Sequence, residues 1–196
     1  IDGERTGLIT YMRTDSLSLA DRAVKEARDT IASLYGKQYL PNRPNVYKSK
    51  AKNAQEAHEA IRPTHIVHKP ADIKRALSDE QFKLYELIWK RTVACQMLPA
   101  EVERTVLEVS VKGGAEEAIF GASGKQIVFP GFLRAYVEGS DDPEADLGDR
   151  EKILPKVALG QVLVALTVEA TNHQTKPPAR YNEASLIKQL EAEGVG

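Results

Sequence analysis

The chain has 196 residues, 42% of them hydrophobic, which is enough for one or two hydrophobic cores. It contains neither a run of roughly 20 consecutive apolar residues, as a membrane span requires, nor a secretory signal. Its single cysteine excludes an intrachain disulfide and fits a reducing compartment. The net charge of −1 conceals an asymmetry, because residues 1–97 hold 17 Lys and Arg against 12 Asp and Glu, which weakly favours an anionic partner there but is equally consistent with a basic solvated surface.

The segment Leu8–Ser16, LITYMRTDS, places a tyrosine and an arginine in an apolar, strand-like run. On a strand, Ile9, Tyr11 and Arg13 would share one face, with the last two side chains about 7 Å apart along the backbone. A phenol is barely ionised at neutral pH and needs a base or a nearby cation to act as a nucleophile, and an arginine can bind a phosphodiester. A strand tyrosine beside a surface arginine is the alternative that this spacing leaves open.

From Ser18 onward apolar residues recur at helical spacing, which predicts a helix with Ser18 as its N-cap and Gly36 as its end. A proline-marked basic loop follows, in which three lysines alternate over residues 48–52. These lysines could follow a phosphate backbone, or they could be ordinary solvated side chains.

A capping pair predicts the start of a short helix over residues 54–61, and Pro63 ends this helix. Arg62 comes four residues after His58 and would share its helix face. His58 could orient or protonate a phosphate oxygen that Arg62 neutralises, although a solvated surface histidine is the alternative. Two more histidines lie nearby, but no Cys or acidic ligand has matching spacing, so we predict no metal site.

Ser78 and Gln81 form a second capping pair, which predicts a longer helix that Pro99 ends. Its buried face is predicted to consist of Phe82, Tyr85, Ile88, Trp89, Thr92 and Cys95. We therefore interpret Cys95 as a small core residue and not as a nucleophile.

After Pro99 the pattern becomes β, with alternation over residues 107–111, a Gly-Gly hairpin at 113–114 and short strands at 118–123 and 125–129. The stretch GASGKQ superficially resembles a phosphate-binding loop. We exclude a nucleoside triphosphatase because the glycine spacing is wrong, the Ser or Thr is missing and a strand pattern follows.

The remaining segments alternate between loop, strand and helix. The acidic stretch 139–151 predicts a surface loop, and the apolar residues of 161–171 predict another strand. A double proline then precedes a final helix with Asn182 as its cap and Gly194 as its end.

Five stretches, taken together and in this order, resemble the middle of bacterial type IA DNA topoisomerases. They are GLITYMRTDS, VYKSKAKNAQEAHEAIRPT, LYELIWKRTVACQM, FPGFLRAYVE and PPARYNEASLIKQLEAEGVG. The resemblance implies an α+β chain: a helical tyrosine-bearing domain at 1–97, an antiparallel β-rich arch segment at 98–172, and the start of a further helical domain at 173–196.

In that family the tyrosine at the position of Tyr11 attacks single-stranded DNA and forms a 5′-phosphotyrosyl bond, the other strand passes through the gap, and the break is resealed without ATP. The resemblance assigns Arg13 to the scissile phosphate and places His58 beside it on the DNA backbone. It gives Arg62 and Asp15 secondary roles in binding DNA at this site. In PPARY it places Arg180 on the groove that binds the single strand.

The family binds Mg²⁺ through an acidic cluster in an N-terminal Toprim domain, and no D-x-D-x-[DE] run occurs in this chain. The resemblance therefore implies a middle fragment with its Mg²⁺ ligands outside the chain, no cofactor within it, and no catalysis in isolation. It also implies single-stranded and negatively supercoiled DNA as partners, a monomeric parent enzyme, no membrane, and a place in the bacterial cytoplasm with the nucleoid.

Two other functions compete with this interpretation. A tyrosine recombinase also uses a phenol on DNA, but it places its tyrosine after an H-x-x-R pair, whereas here the tyrosine comes first and three residues separate His58 from Arg62. A non-catalytic DNA-binding or interaction module with an incidental tyrosine is the second competitor.

Overall fold

The computed structural model describes residues 6–14, 16–47, 58–113, 116–137, 147–148 and 151–194. Its helices and a two-stranded antiparallel sheet confirm the α+β prediction. The chain forms two compact units, Ile1–Pro155 and Lys156–Gly196.

Two helices carry the core of the first unit: α1, Asp21–Leu34, and α3, Asp79–Cys95, with the short α2, Pro70–Ile73, between them. α3 begins as predicted with a reciprocal capping box between Ser78 and Gln81. α1 ends near Gly36 as predicted, where φ of +100° favours glycine. The predicted N-cap Ser18 is wrong, because α1 is capped at Ala20, which has no side chain able to accept a hydrogen bond.

The core fills the space between these helices with apolar side chains. Trp89 is fully buried, and its indole Nε1 donates to the Ile66 carbonyl at 2.8 Å. This bond fixes the loop that follows residue 62 against α3. The buried cluster comprises Ala27, Ile31, Ile66, Ile73, Tyr85, Trp89, Val93, Ala94, Met97 and Ala135.

A long hairpin extends from this core. Strand β1, Glu101–Gly113, pairs antiparallel with β2, Glu116–Phe129. The strands predicted at 118–123 and 125–129 both lie within β2, and the predicted gap between them is wrong because the ladder with β1 runs through Gly121 and Gly124.

The base of the hairpin is tied to the helical part by local contacts. The rings of Tyr39 and Phe129 lie 5.0 Å apart between centroids, and the Leu98 N–H donates to the Tyr39 carbonyl at 2.8 Å. At Gly131, φ is +49° and a Cβ would come within 2.3 Å of the Pro99 carbonyl oxygen. Only glycine therefore fits at this turn, which leads into the short helix α4, Leu133–Tyr136.

The second unit contains the helix α5, Glu183–Ala192. The Asn182 side chain accepts from the Ser185 N–H at 2.8 Å, which confirms the predicted cap, and Gly194 follows the helix with φ of +74°. The strand predicted over 161–171 is wrong, because the described residues offer this exposed stretch no pairing partner.

Candidate active site

The segment 6–14 presents the phenol of Tyr11 and the guanidinium of Arg13 side by side. The Arg13 N–H donates to the Tyr11 carbonyl at 2.9 Å, which closes a three-residue γ-turn across Met12. The Arg13 Cζ lies 5.6 Å from the centroid of the Tyr11 ring, within the range of a cation–π contact. Because Tyr11 is 72% exposed, its ring is accessible to a ligand arriving from solvent.

The predicted strand is wrong for this segment, which makes only an isolated bridge between Ile9 and Pro63 among the described residues. Pro63 occupies a position that needs no N–H, because the two flanking hydrogen bonds run from Thr10 N to the Arg62 carbonyl and from Thr64 N to the Leu8 carbonyl, at 2.9 and 3.0 Å.

The ladder stops at Thr10 because a side chain replaces a backbone acceptor. A regular antiparallel pair would direct the Arg62 N–H to the Thr10 carbonyl, but this N–H donates to Thr10 Oγ1 at 3.0 Å. The same hydroxyl donates to the Ala60 carbonyl at 2.9 Å. The chain is therefore held firmly one residue before Tyr11 and then leaves the ladder into the γ-turn.

A carboxylate–guanidinium pair lies behind this junction. Arg62 Nε and Nη2 donate to the two oxygens of Glu59 at 2.6 and 3.0 Å, a bidentate geometry. Arg62 Nη1 donates to the carbonyls of Pro63 and Thr64 at 2.7 and 3.3 Å. The remaining contact of Glu59 is with α1, since its Oε1 accepts from the Ala20 N–H at 2.8 Å.

The Glu59 carboxylate therefore accepts from the N–H of the N-cap residue Ala20, the bond that an N3 side chain makes in a capping box. Burial by itself would raise the pKa of the Glu59 carboxyl, but the hydrogen bonds from Arg62 and Ala20, with the charge of Arg62, lower that pKa overall. The negative charge also complements the N-terminal end of the α1 dipole.

The other predicted residues occupy different places. His58 is half-buried and precedes Glu59, and the helix predicted through it is wrong for residues 58–61, which are irregular. The rest of that predicted helix and the alternating lysines lie outside the described residues, as does Asp15. Arg180 is exposed in the second unit.

Cys95 is half-buried at the end of α3, and its thiol donates to the Thr92 carbonyl at 3.0 Å. Burial raises the pKa of this thiol, which disfavours the nucleophilic thiolate. The prediction that Cys95 is a core residue is wrong, since its side chain is only half-buried and lies outside the buried cluster, whereas the raised thiol pKa fits the prediction that it is not a nucleophile.

Metal-ligating clusters and membrane-spanning helices are both absent from the described part of the chain. Within it, no group of three or more His, Cys, Asp or Glu side chains is placed to hold a metal ion, so these residues do not fit the acidic Mg²⁺ site of the resembled family. No described helix is long and apolar enough to cross a membrane.

Sequence reasoning missed Thr10 and Glu59, which organise this site. Both belong to the motifs around Tyr11 and His58, yet nothing in their spacing shows that they meet partners 50 and 39 residues away. A threonine directly before a candidate nucleophile and an acid directly after a candidate histidine were the available signals.

The site consists of an exposed phenol beside a guanidinium, on a segment that hydrogen bonds hold in place. This arrangement defines a candidate site for attack on a phosphodiester. A family model described as DNA topoisomerase matches residues 4–196. The chain belongs to this DNA topoisomerase family.

Individual relatives agree with the family match. The chain is 54% identical over 195 residues to DNA topoisomerase 1 of Streptomyces coelicolor and 53% identical over 190 residues to DNA topoisomerase 1 of a Synechocystis species. Each match covers 97% of this chain, and the chain spans 20% and 21% of those two proteins. The structure of full-length topoisomerase I from Thermotoga maritima matches with a TM-score of 0.67 and 30% identity, over 96% of this chain and 28% of that one.

Proposed function

We propose that this chain is the tyrosine-bearing part of a type IA DNA topoisomerase, which relaxes negatively supercoiled DNA by cutting and resealing one strand. The observation that carries the proposal is the exposed Tyr11 with the Arg13 guanidinium 5.6 Å from its ring. The motif around this pair and the names of the relatives support the same function.

The reaction is a transesterification at phosphorus. The Tyr11 hydroxyl loses its proton and its oxygen bonds to phosphorus, while the bond from phosphorus to the 3′-oxygen breaks and that oxygen takes up a proton. The tyrosine then carries the 5′-phosphate. The aryl phosphodiester retains the bond energy, so the free 3′-hydroxyl reseals the strand by the reverse reaction without ATP.

Arg13 is placed to offset the charge that develops on the phosphate oxygens during attack. We assign His58 to the DNA backbone near the scissile phosphate, Asp15 to a supporting role, and Arg180 to the groove for the single strand. The resemblance gives Arg62 a supporting role at the DNA, whereas its guanidinium donates to the Glu59 carboxylate and to two backbone carbonyls of the protein.

The rest of the proposal concerns the whole protein. Its Mg²⁺ is held by residues outside this chain, and its substrates are single-stranded and negatively supercoiled duplex DNA. It works as a monomer in the bacterial cytoplasm with the nucleoid. The 196-residue chain alone is inert, because the described residues hold only part of what positions a phosphate for in-line attack.

The polarity of the covalent link tests the proposal. Full-length protein is incubated with single-stranded DNA labelled at either end, denatured, and digested to locate the labelled adduct. A 5′-phosphotyrosyl link at Tyr11 is expected. A 3′-link would instead indicate recombinase-like chemistry, and no adduct under conditions that give specific DNA binding would indicate a non-catalytic module.

A further inference from the structure

The Glu59 carboxylate joins two parts of the first unit that are distant in sequence. One oxygen receives both the Ala20 N–H at 2.8 Å and Arg62 Nε at 2.6 Å, and the other receives Arg62 Nη2 at 3.0 Å. The start of α1 and the segment 58–64 are thereby fixed to each other. A further backbone bond, from the Ala60 N–H to the Ser18 carbonyl at 2.8 Å, reinforces the same junction.

The segment 58–64 in turn holds the residues that precede Tyr11. Thr10 bonds to it through its backbone N–H and through both functions of its hydroxyl, and the Thr64 hydroxyl donates to the Gly7 carbonyl at 2.8 Å. A continuous path of hydrogen bonds therefore runs from the start of α1 through Glu59 and Arg62 to Thr10, next to the nucleophile.

We propose that Glu59, Arg62 and Thr10 form a positioning relay that fixes the Tyr11–Arg13 pair relative to α1, and that Arg62 supports cleavage through this relay and not by binding a DNA phosphate. The inference rests on the proposed function, since it takes Tyr11 as the nucleophile.

The environment of Arg62 favours this role. Its side chain is 13% exposed, and Nε, Nη1 and Nη2 all donate to protein acceptors. To clamp a phosphate, it would have to release Glu59 and leave a half-buried carboxylate without the guanidinium that balances its charge, which is costly. Arg13, by contrast, is exposed and lies beside the phenol.

Thr10 offers the sharpest perturbation because its hydroxyl is both donor and acceptor. Thr10→Val keeps the shape and β-branching of the side chain but removes both hydrogen bonds, whereas Thr10→Ser keeps the hydroxyl. Arg62→Lys keeps the positive charge but cannot reproduce the bidentate pair with Glu59. Asp29→Ala is the matched control, since it breaks an exposed ion pair of 2.6 Å with Lys25 on the outer face of α1.

The experiment measures two quantities in the full-length protein. Single-turnover cleavage of labelled single-stranded DNA gives a rate constant and an amplitude, and misfolding lowers the amplitude whereas mispositioning lowers the rate constant. Non-covalent DNA affinity is measured over a salt series in a Tyr11→Phe background, where cleavage does not interfere.

We expect Thr10→Val, Glu59→Ala and Arg62→Lys to slow cleavage about 10- to 100-fold, as a shift of the nucleophile by about 1 Å would. Their amplitudes, DNA affinities and salt dependences should stay close to those of the unsubstituted protein. Thr10→Ser should recover most of the rate, and Asp29→Ala should leave it unchanged.

Two results would overturn the relay. One is a normal cleavage rate for Thr10→Val. The other is an Arg62→Ala variant whose log–log salt slope falls by about 0.7, the loss of one phosphate contact on a single strand. Neither result touches the proposed function, which fails separately if the Tyr11→Phe protein still forms a covalent adduct.

Discussion

Replacement of Arg13 by alanine separates transition-state stabilisation from simple DNA binding. The side chain is exposed and its Cζ lies 5.6 Å from the Tyr11 ring centroid, so its loss should cost the fold no more than the 0.5–1 kcal/mol, roughly, of an exposed cation–π contact. Its effect on chemistry should be larger. A guanidinium about 4 Å from a phosphate gains on the order of 4 kcal/mol at an effective dielectric constant of 20.

Mutagenesis of comparable preorganised donors gives a loss of about 3 kcal/mol, or a hundredfold in rate. Arg13→Ala should therefore slow single-turnover cleavage of single-stranded DNA about a hundredfold while DNA affinity changes only a few-fold. Arg13→Lys keeps the charge but not the planar guanidinium, so its cleavage rate should lie between those of the unsubstituted protein and Arg13→Ala. If affinity and rate fell by the same factor for Arg13→Ala, the side chain would be an ordinary phosphate clamp and the reasoning would be refuted.

Three further predictions concern the stability of the chain and are read by urea unfolding. Trp89→Phe should destabilise it by about 2–4 kcal/mol, since it leaves the Ile66 carbonyl unpaired and a cavity behind it; a loss below about 1 kcal/mol would contradict the buried hydrogen bond. Ser78→Ala should cost about 1 kcal/mol through the lost capping box, and Ser33→Ala on the exposed face of α1 is its control, so equal effects would contradict the cap. The lowered pKa of the Glu59 carboxyl means that its ionised form stabilises the folded state. The difference in unfolding free energy between the unsubstituted chain and Glu59→Gln should therefore be largest above the unfolded-state pKa near 4.5 and should shrink as the pH falls through the lower folded-state pKa. A difference that grew on acidification would contradict the direction of this pKa shift.

Local signals in the sequence predicted much of the helical framework. The pair Ser78 and Gln81 begins α3, Gly36 follows the end of α1, and Asn182 caps α5. Each of these features depends on residues within one helical turn, so the sequence pattern and the structure record the same interaction.

Other elements depend on partners far along the chain, and there the local pattern misled. Residues 58–61 have a helical composition, but Glu59 is drawn to the N-terminus of α1 instead. The two strands predicted at 118–123 and 125–129 left a gap at Gly124, yet β1 pairs across this position. Gly124 is required there because a Cβ would lie 2.6 Å from the Lys152 carbonyl oxygen.

In the candidate site, the sequence predicted the paired side chains correctly but not the backbone conformation that brings them together. The pairing of Tyr11 with Arg13 was expected from a strand, and the structure brings the two together by a γ-turn instead. The cause is the Thr10 hydroxyl, which takes the place of a backbone acceptor and ends the ladder. The residue types were therefore informative about the chemistry, whereas the backbone that positions them follows from contacts that no local pattern records.

The most direct test of the central claim compares covalent adduct formation by the full-length protein and by its Tyr11→Phe variant. Both are incubated with end-labelled single-stranded DNA, denatured, and analysed for DNA-linked protein, with non-covalent affinity measured in parallel. The account predicts that the variant binds DNA within a few-fold of normal and forms no adduct, because it lacks only the phenolic oxygen. DNA-linked protein from the Tyr11→Phe variant would contradict the assignment of Tyr11 as the nucleophile.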